Sequence, residues 1–147
     1  MKSIKSKINS VVFARFYEGE DLLKTIELTA NENNINSGFF FLIGTLKQAT
    51  LGFYKDGKYM PIEKQGPLEI ISCMGNISIK EKNELIVHGH IVVSDIKGSA
   101  YGGHLLAKCI VDATVELVLV EADSDSLKRE FDTQKNLNLW SIKNDSS

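Results

Sequence analysis

Arginine is nearly missing from this chain. Seventeen of its 147 residues are Lys or Arg, and all but Arg15 and Arg129 are Lys. The planar forks that read guanine edges or clamp phosphates are therefore scarce. A dominant charge is lacking too: the formal net charge of −2 gives no general pull toward nucleic acid or anionic membranes. No segment approaches the roughly 18 consecutive apolar residues of a membrane span. The lysines of Met1 to Ser10 precede no long apolar run, so a signal peptide is not expected. Cysteine is sparse, and Cys73 and Cys109 each lie inside an apolar run, so both read as buried free thiols rather than a disulfide. Phosphate loops of the Gly-x-Gly-x-x-Gly or Walker type are absent, as is a Ser-His-Asp or Cys-His nucleophile pattern. These absences lead us to expect a cytoplasmic protein without membrane contact.

What remains is the composition of an ordinary globular chain, 43% hydrophobic and 24% charged. Its length suits one domain over residues 1–147, with a core from about 8 to 142. Ser10 to Tyr17 alternates as a strand, and the acidic Glu18 to Asp21 leads into a helix carrying Leu22, Leu23, Ile26 and Ala30 at helical spacing. Gly38 to Leu46 reads as a buried strand. Thr50 to Tyr54 and Lys58 to Ile62 flank Lys55-Asp56-Gly57 as a hairpin. Pro67 to Met74 is a further strand, with a turn at Gly75-Asn76 into Ile77 to Ile79. Lys80 to Glu84 is a charged turn, and Leu85 to Ser94 a strand. The runs Leu105 to Val111 and Thr114 to Val120 suggest one bent strand, Asp123 to Lys128 a polar stretch, and Leu137 to Ile142 a last edge strand. The expected fold is α+β, a mostly antiparallel or mixed sheet covered by one or two helices.

All three histidines fall in one short stretch, His88-Gly89-His90 and then Gly102-Gly103-His104. In a strand, residues i and i+2 share a face, so His88 and His90 project side by side. The Gly-rich return delivers His104 beside them. Three neutral imidazoles from two neighbouring strands suit a divalent metal, zinc first, with a fourth position left for water or a ligand. A polar cluster satisfied by backbone carbonyls is the competing reading. Gly102 and Gly103 would permit a tight backbone conformation beside the site.

Around the histidines, Glu69 and Glu116 lie inside apolar strand runs, where they could orient ligands or move protons. A structural ion pair, with Arg15 for instance, is the simpler reading of both. Ser94, Asp95 and Tyr101 lie on the connection between the histidine strands and could line the mouth of the site, although turn chemistry also explains Ser94 and Asp95.

The order of motifs resembles the plants-and-prokaryotes-conserved (PPC) domain along nearly the full chain. The likeness is carried by Arg15 with Gly19-Glu20-Asp21-Leu22, and by Gly38 through Ile43-Gly44-Thr45-Leu46. It continues in Gly66-Pro67-Leu68-Glu69-Ile70-Ile71-Ser72, Gly75-Asn76-Ile77-Ser78, His88-Gly89-His90, Gly102-Gly103-His104-Leu105-Leu106 and Thr114-Val115-Glu116. The resemblance implies a homotrimer. In plant relatives the domain follows AT-hook segments and serves DNA-binding proteins as an assembly module. No AT-hook exists here, so DNA would be met weakly or through partners. Stand-alone prokaryotic members keep the histidines, and some hold a metal on them. The fold neighbourhood also includes acetolactate decarboxylase, a zinc enzyme with a His-x-His pair and a third histidine. Two functions follow as expectations. One is a homotrimeric, metal-holding module acting in regulation or DNA-linked assembly. The other is a small zinc enzyme acting on an oxygen-rich small molecule bound at the metal.

Overall fold

Side-chain alternation builds this molecule. In the computed structural model, which describes residues 1–80, 84–123 and 127–142, strand β2 (Gly38–Lys55) buries Phe40 and Leu42 and turns Phe39, Phe41 and Ile43 outward. The same two-residue period runs through β1 (Ile8–Phe16), β3 (Lys58–Ile79), β4 (Leu85–Ser94), β5 (Ala100–Leu105) and β6 (Ile110–Ala122). The inward faces meet in one apolar core that includes Phe16, Phe40, Leu46, Ile77, Ile91, Leu105, Leu117 and Leu119. Cys73 and Cys109 lie in that core as free thiols, and burial pushes them up to about 12 and about 11.

The six strands form one sheet in the order β1-β6-β2-β3-β4-β5, and every pairing is antiparallel. The sheet then closes on itself. Along one edge, β2 pairs with β6 from Gly38 to Gln48 and with β5 at Leu51 and Gly52, so β2, β3, β4 and β5 form a ring. Closure needs small residues: a Cβ on Gly103 would lie 2.9 Å from the Gly52 carbonyl oxygen. Gly102 and Gly103 thus serve close approach between extended strands, and neither has a positive φ.

The mostly antiparallel sheet expected from the sequence is present, but the molecule is barrel-like and strand-dominated, with less helical cover than an α+β reading implies. One α-helix is present among the described residues, α1 (Leu22–Glu32). Asp21 caps it by accepting from the Lys24 N–H at 3.1 Å. Its buried face of Leu22, Ile26, Thr29 and Ala30 packs toward β4, β1 and β6. Each fully buried Leu or Ile there stabilises the fold by about 1.5–3 kcal/mol.

Other boundaries also moved. The hairpin at Asp56-Gly57 forms as expected, with both residues at positive φ as a type I′ turn requires. No turn occurs at Gly75-Asn76, because β3 runs straight through to Ile79. Leu105 ends β5 and Ile110 begins β6, so the bent strand expected at Leu105–Val120 is two separate strands. Strand β8 (Leu137–Trp140) pairs not with the main sheet but with β7 (Arg129–Asp132) in a small hairpin. The charged turn at Lys80–Glu84 and the polar stretch at Asp123–Lys128 fall partly outside the described residues.

Candidate metal centre

The His-Gly-His segment lies opposite Asn76, Gly75 and Met74 of β3. Gly89 faces inward over Phe40, whose Cζ would lie 3.0 Å from a Cβ placed there. Its neighbours must then face outward. His90 is exposed and His88 half-buried on the outer face of β4, and His90 pairs directly with His104 of β5. The three ring centroids form a near-equal triangle with sides of 5.4, 5.1 and 5.6 Å. One nitrogen from each ring lies within 4.8 Å of the others. Three nitrogens on one zinc lie roughly 3.3 Å apart, so modest side-chain rotation closes the triangle. His104 Nδ1 is buried and lacks a hydrogen-bond partner. An orphaned nitrogen beside two further imidazoles is the donor set a zinc-type ion fits.

Burial keeps His88 and His104 ready to bind. Burial pushes His104 down to about 4, helped by His88, His90 and Arg129. His88 is lowered by burial, then by Arg129 and His90. Neutral imidazole is the ligating form, so at neutral pH no proton need leave either ring before a metal binds. Tyr59 stacks on His104 with centroids 4.2 Å apart and planes 17° apart, fixing that ring.

The five residues expected around the histidines make no hydrogen bond to them among the described residues. Tyr101 lies three positions from His104 on one strand, so it faces the opposite side, and its hydroxyl donates to Asp95 Oδ2 at 3.0 Å. Asp95 accepts from the Lys97 and Ser99 amides at 2.9 and 3.0 Å, which is turn chemistry. Ser94 sits four residues along β4 from His90, roughly 13 Å away at strand spacing, and Glu69 is its partner on β3. Glu69, Ser94 and Asp95 instead border a different cavity of about 510 Å³. Glu116 is exposed on β6, three strand spacings or about 14 Å from β4. It stands opposite Arg15 in register, without an ion pair.

Sequence reasoning missed two residues that touch the histidines, Tyr59 and Arg129. Arg129 of β7 donates from Nε to Ser78 Oγ at 2.7 Å, from Nη1 to the Asn138 carbonyl at 2.7 Å and from Nη2 to Asn76 Oδ1 at 2.8 Å. Its Nη2 also lies 3.3 Å from His88 Nδ1. Its rarity was the available signal, since it is one of two arginines and opens an alternating stretch. Together Tyr59, His88, His104, Arg129, Leu137 and Leu139 border a pocket of about 190 Å³.

Comparison with known proteins agrees with this architecture. The model of the family described as the Plants and Prokaryotes Conserved (PCC) domain matches residues 4–123. The crystal structure of a plant- and prokaryote-conserved protein from Pyrococcus horikoshii superposes with a TM-score of 0.88 at 29% identity, covering 98% of this chain and 99% of that one. The metal-containing protein AF0104 from Archaeoglobus fulgidus gives 0.86 at 29% identity, covering 96% and 99%. A Bacteroides thetaiotaomicron protein provisionally described as DNA-binding gives 0.82 at 25%, covering 93% and 97%. Among curated proteins, the bifunctional protein GlmU of a Synechococcus strain is 31% identical over 120 residues, which is 80% of this chain but 18% of that protein. The chain therefore spans less than a fifth of that relative's length.

Proposed function

Because the chain belongs to the Plants and Prokaryotes Conserved domain family, we propose that it is a homotrimeric member holding one divalent metal, zinc first, on His88, His90 and His104. Its role in this reading is regulatory or DNA-linked assembly. The observation that carries the metal is the histidine triangle, one of whose rings, His104, has a buried Nδ1 without a hydrogen-bond partner. Three imidazole donors suit zinc, among other divalent first-row metals, and zinc when bound would supply a Lewis acid. The metal-containing relative from Archaeoglobus supports the same reading.

The trimer is supported by the outer face of the sheet. Phe13, Val118, Phe41, Met74, His90 and His104 are successive cross-strand partners, so one lateral row runs from β1 to the metal residues. Phe13 is 78% exposed, Ile43 58% and Met74 61%, an apolar face that a second copy would cover. The DNA link rests on relatives described provisionally as DNA-binding. Direct gripping of a duplex by one chain is disfavoured by its net charge of −2.

The pocket of about 190 Å³ beside His88 and His104 favours a second reading, a metal-dependent enzyme for an oxygen-rich small molecule in the manner of acetolactate decarboxylase. Metal analysis of untagged protein tests what both readings share. Wild type should retain about one zinc per chain, and His90→Ala should lose it while keeping the wild-type circular dichroism, because His90 is exposed and outside the core. Equal metal in both proteins would sink the site.

A further inference from the structure

Arg129 is a buried cation held by neutral groups. Ser78, Asn76 and Asn138 take its N–H groups, and no carboxylate lies within ion-pair distance of it among the described residues. A buried charge without a counter-charge is costly, and such charges are normally paired. Beyond these groups the guanidinium lies over the Trp140 ring, 5.7 Å from its centroid, and within 3.3 Å of His88 Nδ1. Arginine has no acceptor, so this contact requires a lone pair on Nδ1.

That lone pair disappears when His88 ligates a metal. If Nδ1 is the ligating atom, its lone pair goes to the metal. If Nε2 ligates, the neutral ring carries its proton on Nδ1, where it would face an arginine N–H. Either way Arg129 loses an acceptor just as a second positive charge arrives beside it. An anion resolves both, by accepting the freed N–H and compensating the charge. The adjacent pocket has room for a small one, about 190 Å³, and Ile86, Leu137 and Leu139 give it apolar walls. A bare inorganic anion would leave those walls uncovered.

We propose that Arg129 is the anion-recognising wall of this pocket, and that the ligand class is a small carboxylic acid with a short aliphatic body. The inference rests on the metal reading for the release of Arg129 from His88. Arg129 lies beyond the segment matched by the family model, on the β7–β8 hairpin.

The test begins with the zinc content of the untagged protein. Butyrate, its neutral counterpart butyramide, and inorganic phosphate are then titrated calorimetrically into wild type. Butyrate should bind at least about tenfold more tightly than either of the others, and Arg129→Gln should weaken it by about tenfold or more. Arg129→Lys should fall between, keeping charge without the fork. Equal binding of butyrate and butyramide, stronger binding of phosphate, or an unaffected Arg129→Gln protein would overturn the proposal. Should Arg129→Gln fail to fold for want of its anchor to Ser78 and Asn76, the wild-type comparison and Arg129→Lys decide the matter. Zinc present with no butyrate binding sinks this inference and leaves the metal reading standing. Zinc absent with butyrate binding that depends on Arg129 sinks the metal reading and leaves the anion wall in place.

Discussion

His104 concentrates the chemistry of the site in one ring: stacked on Tyr59, flanked by two imidazoles and an arginine, and held down to about 4. Its ordinary value is 6.5, so between about pH 6.5 and 4 the unfolded chain takes up a proton that the folded chain refuses. Stability therefore rises with pH across that window and is lost as pH falls through it. His88, lowered in the same direction, adds to the slope. Denaturation midpoints of chelator-treated protein should drop from pH 6.5 to 4, and His104→Phe should flatten the fall. A wild-type midpoint that is level over this range would contradict the buried, neutral state of the ring. The histidines were legible in the sequence because a two-residue period needs only local strand geometry. Their surroundings were not legible, because Tyr101 failed on strand parity and Glu116 on strand order, which tertiary pairing decides.

Among the elements, β3 shows most clearly how a local signal can mislead. Gly75-Asn76 looks like a turn, yet both residues lie mid-strand and each is required there for another reason. A Cβ on Gly75 would fall on the His88 carbonyl oxygen and 2.6 Å from Phe40 Cζ, so glycine lets β3 and β4 close over a buried ring. Asn76 accepts from Arg129 and so fastens the β7–β8 hairpin to the barrel. Gly75→Ala must push two strands apart, at a cost of about 1–3 kcal/mol, which is the scale of overpacking in a filled core. In a chain of this size that lowers Tm by roughly 2–4 °C per kcal/mol. Gly98→Ala makes a useful contrast, since nothing lies within 4 Å of its Cβ and any loss there comes from its positive φ alone. Thermal melts in which Gly75→Ala matches wild type would refute the packing argument. The Asp56-Gly57 hairpin, by comparison, was readable from sequence because its turn type is dictated by two adjacent residues.

At the scale of the whole molecule, the closed ring was not legible, since closure depends on β5 meeting β2 across roughly fifty residues of chain. The near-continuous apolar runs Gly38 to Leu46 and Leu105 to Val120 carry more apolar surface than one helix can cover. Light scattering should give about three times the chain mass of 16.3 kDa. A monomer at micromolar concentration would remove the reason for Phe13, Ile43 and Met74 to face outward. The same sample should shift duplex DNA weakly and without sequence preference at physiological salt. Nanomolar, selective binding would show that assembly creates a basic surface the single chain lacks. The ring itself is fastened at a short clasp, where Leu51 meets Leu105 and Gly52 meets His104. A cylinder with one short clasp unfastens there first, and here the clasp residue and a candidate ligand residue are the same. Occupancy of the site and loosening of the cylinder thus become competing events: whatever is held between His90 and His104 favours the fastened clasp.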